Sequence, residues 1–137
     1  MLTQDQIDKI IDELKQEPGV IGILLTGSYV YGTPNEASDL DVRCLVLDGY
    51  SKAEKRECFG VEVELYYNTP EKVRFYLKLG EDEGHGAAIH FWAHGKIVCD
   101  PQGIATQIQK EACEWWKRGR ADGKPWEPRN EKYRKYS

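Results

Sequence analysis

The sequence predicts an α/β fold, a small mixed β-sheet flanked by helices. Three observations carry that expectation. An amphipathic stripe near the N-terminus runs straight into a continuous apolar stretch, the pattern of a helix feeding a buried strand. Two later segments, 39–47 and 61–67, alternate with the two-residue period of strands. Helical patterning then returns after Pro70 and again after Pro101.

Taken in order, residues 3–17 read as a helix. Thr3 can cap it, Gln6 stands where a capping-box partner belongs, and Ile7, Ile10, Ile11 and Leu14 form one stripe. Pro18-Gly19 ends it. Residues 20–26 follow as a buried strand, broken by Gly27-Ser28. A turn-rich connection with one short helical turn covers 29–38. The second strand, 39–47, carries Asp39, Asp41, Arg43, Leu45 and Leu47 on one face and Leu40, Val42, Cys44 and Val46 on the other. Asp48-Gly49 marks a turn. The polar segment 50–58 fits an edge strand or an irregular loop. Residues 61–67 alternate as a strand, and Thr69-Pro70 opens a helix to about Leu79. Residues 81–86 read as an acidic loop, and 87–93 as a short helix or a strand. A short strand at 96–99 precedes a last helix, 102–117, with Ile104, Ile108 and Ala112 inward.

With 137 residues the chain fits one domain able to bury its own core, here expected over 1–117, followed by a basic polar tail, 118–137. Net charge is −4, but residues 117–137 carry +5, which leaves an acidic body of −9. Such a tail suits either phosphate contact or an ordinary solvated end. The acidic body argues against a nucleic-acid partner. No apolar run approaches the roughly 20 residues that cross a bilayer, and no signal peptide is evident. A cytoplasmic location and no membrane association are expected. Cys44, Cys58, Cys99 and Cys113 are scattered, and read as reduced, mostly buried thiols rather than zinc ligands.

The chemistry concentrates in 27–41 and 61–65. Gly27-Ser28 ends a buried strand, where glycine admits close backbone approach and backbone N–H groups with a hydroxyl can hold phosphate oxygens. Asp39 and Asp41 share one strand face, roughly 7 Å apart at the backbone. Carboxylates gathered there repel one another unless a cation sits between them, and oxygen-only ligands suit Mg²⁺ or Mn²⁺. Glu62, on the neighbouring strand, can supply a third carboxylate, and Glu64 shares its face. Three carboxylates beside a phosphate-holding turn fit two-metal phosphoryl chemistry.

The pattern G-S, ten residues, D-x-D resembles the signature of the nucleotidyltransferase superfamily that includes DNA polymerase β, and the length resembles its minimal members. The resemblance covers roughly residues 18–68. It implies a nucleotidyltransferase-like fold, an NTP substrate and divalent metal. It assigns catalytic and metal-holding roles to Asp39, Asp41 and Glu62, and nucleotide binding to Gly27 and Ser28. Val61-Glu62-Val63 matches the family's apolar-acid-apolar strand, with glutamate where aspartate is commoner, and Gly32 matches a second glycine.

The acceptor is not named by the sequence. A small-molecule acceptor hydroxyl is favoured; alternatives are an antitoxin-type regulator that AMP-modifies a paired protein, and a nucleotide-binding module without catalysis. The intact acids weigh against the last. Small members complete the acceptor site with another chain or domain, which implies a homodimer or a partner protein. His90 and His94 have metal-ligand spacing on a helix but no evident third ligand. His85 could reach a substrate. Tyr29, Tyr31, Tyr66 and Tyr67 suit base stacking or packing, and Trp115 and Trp116 suit packing of the last helix or a partner interface.

Overall fold

The computed structural model describes residues 1–84, 86–124 and 126. Helix α1 (Gln4–Lys15) begins on a complete capping box, in which Thr3 accepts from the Gln6 N–H and Gln6 accepts from the Thr3 N–H. Strand β1 (Val20–Thr26) follows, then the single turn α2 (Ser28–Tyr31) and strand β2 (Leu40–Val46). The polar segment resolves as an edge strand, β3 (Lys52–Cys58), paired along its length with β4 (Val61–Asn68). Helices α3 (Pro70–Glu83) and α4 (Ala87–His94), strand β5 (Lys96–Cys99) and helix α5 (Ile104–Arg118) complete the fold.

The sheet order is β3-β4-β2-β1-β5. Only β2 and β4 are parallel; every other neighbouring pair is antiparallel. The fold is therefore the mixed α/β sheet flanked by helices that the pattern predicts. On one face Ile7, Ile10, Ile11 and Leu14 of α1 pack on Ile23, Leu25, Leu40, Val42, Val63 and Leu65. On the other, α3, α4 and α5 bring Leu77, Ile89, Trp92 and Ile108 against Ile21, Leu24 and Leu45. Because β2 is central and buried on both sides, Cys44 and Leu45 are buried in succession.

Several boundaries differ from expectation, and the open segment 87–93 is settled. Strand β2 spans Leu40–Val46, so Asp39 and Leu47 flank it and do not belong to it. Helix α3 continues through Gly80 to Glu83, and Gly84, left-handed at φ 76°, caps it. Gly80 is buried within the helix, so tertiary packing overrides its weak helix propensity. The segment 87–93 is helical, one turn of it closed by Gly95 N–H donating to the Phe91 carbonyl (2.9 Å). Helix α5 starts at Ile104 rather than Gln102, because the Asp100 carboxylate accepts from the Ala105 and Thr106 N–H groups (both 2.9 Å) and fixes the start there. Of the inward positions expected on α5, Ile108 and Ala112 are buried, while Ala105 takes the place of the half-buried Ile104.

Of the expected tail, residues 125 and 127–137 lie outside the described residues, as does His85. Trp126 is buried, and its indole N–H donates to the Trp115 carbonyl (3.2 Å). No described helix is long and apolar enough to cross a membrane. The four cysteines are free thiols. Cys44 alone is buried and the others are half-buried, less enclosed than expected.

Candidate active site

The site is built where β1 ends and β2 begins, on the sheet face that also carries α3, α4 and α5. Antiparallel pairing sets Thr26 of β1 opposite Asp41 of β2. Gly27 follows with φ 85°, a left-handed conformation that side chains rarely adopt. A β-carbon there would lie 2.5 Å from Asp41 Oδ2. The Asp41 carboxylate thus rests directly against the glycine backbone, and any side chain at position 27 would have to displace it. Ser28 opens α2, and its carbonyl accepts from the Gly32 N–H (3.2 Å).

On the opposite side of β2, parallel pairing with β4 sets Asp41 level with Glu64. Asp39, Glu62 and Glu64 bring one carboxylate oxygen each to within 4.8 Å of one another. That spacing lets a single cation touch all three, and an all-carboxylate donor set suits a hard divalent ion such as Mg²⁺ or Mn²⁺. Lys55 of β3 reaches both glutamates, 3.9 Å from Glu62 and 3.8 Å from Glu64, and partly offsets their charge. Glu64 is the less exposed of the two and accepts a hydrogen bond from the Tyr66 hydroxyl (2.9 Å). Burial, then that bond to Glu64, push the Tyr66 phenol up to about 12, so it remains a donor at neutral pH.

Deeper along the same face, the Arg43 guanidinium lies between the rings of Tyr66 (4.6 Å) and Phe91 (4.1 Å), and its Nε donates to Thr26 (3.3 Å). Lys55 and Arg43 escaped the sequence reading: Lys55 sits in a segment whose polar pattern does not distinguish strand from loop, and Arg43 looks like any outward charge on an alternating strand.

The remaining aromatic and histidine candidates have other surroundings. Tyr29 accepts from the Leu2 N–H (3.0 Å), and buried Tyr67 donates to Glu17 (3.0 Å) on the α1 side of the sheet. Tyr31 meets the edge of His90 at 5.1 Å. His90 and His94 stack at 4.6 Å between ring centres, with His94 Nδ1 3.1 Å from the His90 carbonyl; neither joins a metal-ligating cluster among the described residues. Trp115 and Trp116 pack against the α3–α5 core.

A mixed sheet presenting carboxylates on adjacent central strands, beside a glycine turn, defines a domain of the nucleotide-transferring class. The family model for the nucleotidyltransferase domain matches residues 7–112, and the chain belongs to that family. Solved structures resemble it, two of them as follows. One is a nucleotidyltransferase-like protein from Exiguobacterium sibiricum 255-15, at a TM-score of 0.61 and 15% identity over 80% of this chain. The chain spans 38% of that protein's length. The other is a toxin–antitoxin structure with AMP-PNP, at a TM-score of 0.51 and 17% identity over 85% of this chain and 89% of that one. At these identities the likeness is one of fold. No curated protein matches the chain.

Proposed function

We propose that the chain is a metal-dependent nucleotidyltransferase that moves a nucleoside monophosphate from an NTP onto an acceptor hydroxyl. The observation that carries this reading is the cluster of Asp39, Glu62 and Glu64, with oxygens within 4.8 Å of one another, next to the strand position where Asp41, paired with Glu64, rests against Gly27. In the proposed roles, Asp39, Asp41 and Glu62 hold Mg²⁺ or Mn²⁺, with Glu64 the competing third acid. Such ions, when bound, supply positive charge to the triphosphate and lower the pKa of the acceptor hydroxyl. Gly27 and Ser28 hold the outer phosphates through backbone N–H groups and the serine hydroxyl. The acceptor hydroxyl gives up its proton to solvent, the new bond joins its oxygen to the α-phosphorus, the α–β phosphoanhydride bond breaks, and pyrophosphate departs on the β1 side.

A small-molecule acceptor remains the first choice. The second reading, an antitoxin-type regulator that modifies a partner protein, is favoured by one observation: the similar toxin–antitoxin structure holds AMP-PNP and is matched over 89% of its chain. A partner or a second copy would then complete the acceptor side. An NTP substrate and four free thiols fit a cytoplasmic setting.

Calorimetry tests the core of the reading. ATP or GTP should bind with Mg²⁺ and much more weakly in EDTA, because an uncompensated carboxylate cluster repels a triphosphate; equal affinity in both would sink it. Asp41→Asn, nearly isosteric, should remove turnover while the protein stays folded. Activity within about tenfold of wild type, roughly 1.4 kcal/mol of transition-state stabilisation, would exclude Asp41 as a metal-holding acid.

A further inference from the structure

We propose that the nucleobase of the NTP lies in the cleft between the β3–β4 ribbon and helices α3 and α4, and that Asn68 selects a base carrying an exocyclic amino group. The inference rests on the proposed NTP reading and adds the location and identity of the base.

The ladder registers lay the cleft out in rows. Asp41, Glu64 and Lys55 form one row across β2, β4 and β3. Arg43, Tyr66 and Ala53 form the next, and Leu45 with Asn68 the one after. Successive rows lie roughly 7 Å apart along the strands. A small hollow bounded by Glu64, Lys55, Tyr66 and Ala53 adjoins the acids, and at Tyr66 and Ala53 it meets a cavity of ≈ 360 Å³. That volume falls within the range of about 300–1,000 Å³ typical of small-ligand sites. Tyr76, Phe91 and Trp92 wall the cavity from the helices, and Lys52 and Asn68 line it from the ribbon.

The geometry of phosphoryl transfer decides which part of the substrate goes there. Strand order runs β1, β2, β4, so the phosphate-holding turn, the aspartates and the glutamates lie in sequence across the sheet. Attack and departure are in line, so pyrophosphate and acceptor occupy the two ends of that crosswise axis. The ribose ester oxygen is off the axis, and the nucleoside must leave at a steep angle to it. Along the strands, one and two rows beyond the acids, lies the aromatic-walled cavity. Arg43, held between Tyr66 and Phe91, also lines the cavity, and Trp92 is buried, so the exposed Tyr76 ring is the face on which a planar base can stack, sequence-independently. Selection then falls to the polar groups. Asn68 Oδ1 is buried and has no hydrogen-bond partner among the described residues. A buried acceptor of that kind is costly until a donor reaches it, and adenine's amino group is the donor that asparagine pairs with.

The experiment compares ATP with inosine triphosphate, which carries an oxo group in place of the amino group, and with tripolyphosphate, all with Mg²⁺ by calorimetry. Wild type should bind ATP about tenfold more tightly than inosine triphosphate, as expected for one buried hydrogen bond. Asn68→Leu should erase that difference. Ala53→Trp, at an exposed edge-strand position lining the cleft, should weaken ATP at least tenfold and leave tripolyphosphate unchanged. Equal affinity of wild type for ATP and inosine triphosphate, or an Ala53→Trp variant that binds ATP normally, overturns the inference while leaving the NTP reading intact. Failure of wild type to bind tripolyphosphate and every NTP overturns both.

Discussion

At the scale of single residues, the sharpest constraint is Gly27. Its φ of 85° and the 2.5 Å approach of Asp41 Oδ2 to a β-carbon placed there act together. Gly27→Ala must either twist the turn or push the Asp41 carboxylate aside. Both strain the backbone and displace a proposed metal ligand. The expected outcome is a melting temperature lowered by several degrees, with turnover reduced on the order of 100-fold or more in the protein that remains folded. Thermal melts and steady-state rates on one preparation check it. A variant with wild-type turnover would show that the carboxylate's position against the turn is irrelevant. Glycine at this position is visible in the sequence; the reason for it is not, because Asp41 is 14 residues away in the chain and reaches Gly27 only through the β1–β2 pairing.

At the scale of elements, α4 carries a pH-dependent term in stability. His90 is 1% exposed, and burial, reinforced by neighbouring His94, pushes its imidazole down to about 4. The unfolded chain takes up that proton near pH 6.5, whereas the folded chain holds it off until about 4. The unfolded state therefore binds more protons in this window, and stability present above pH 6.5 is lost progressively as pH falls toward 4. The loss from this group is on the order of 3 kcal/mol. Denaturant titrations of wild type and His90→Leu at pH 7, 5.5 and 4 isolate it, with the variant showing the shallower decline. Parallel curves would mean that His90 is not held neutral by the fold. Helix α1 offers a simpler test of local encoding. Thr3 and Gln6 cap it reciprocally, so Thr3→Ala should cost about 1 kcal/mol, and an unchanged denaturation midpoint would show that the cap is dispensable.

At the scale of the whole molecule, one sheet is clamped between two apolar layers. Leu14 of α1, 1% exposed, and Ile108 of α5, 0% exposed, lie on opposite sides of it. Truncating either to alanine leaves a void and should cost about 2–5 kcal/mol. Because β1 and β2 contribute side chains to both layers, each variant should shift one shared transition, recorded alike by far-ultraviolet circular dichroism and tryptophan fluorescence. The tryptophans sit on the α5 side. If Leu14→Ala left the fluorescence transition unmoved while shifting the circular dichroism, the two layers would be separate units.

Local physics reached far into this protein. The period-two alternation of 39–47 and 61–67, the stripe of α1 and the Thr-Pro start of α3 are interactions over a few residues, and they were legible in the chain. Asp41, Glu62 and Glu64 could be placed on one sheet face from their spacing along strands. Asp39, however, lies just before β2, and its meeting with the two glutamates, rather than with Asp41, depends on the pairing of β2 with β4. What the chain alone left open was settled by contacts between distant segments. Whether 52–58 is a strand depends on β4 lying beside it, and whether 87–94 is a helix depends on the layer that Ile89 and Trp92 join. The end of α3 depends on the burial of Gly80. Lys55 between Glu62 and Glu64, and Arg43 between Tyr66 and Phe91, are likewise products of strand order and register. Propensity and spacing act along the chain and were decided by sequence; which carboxylate meets which cation is decided across the sheet, where only the tertiary structure sets the neighbours.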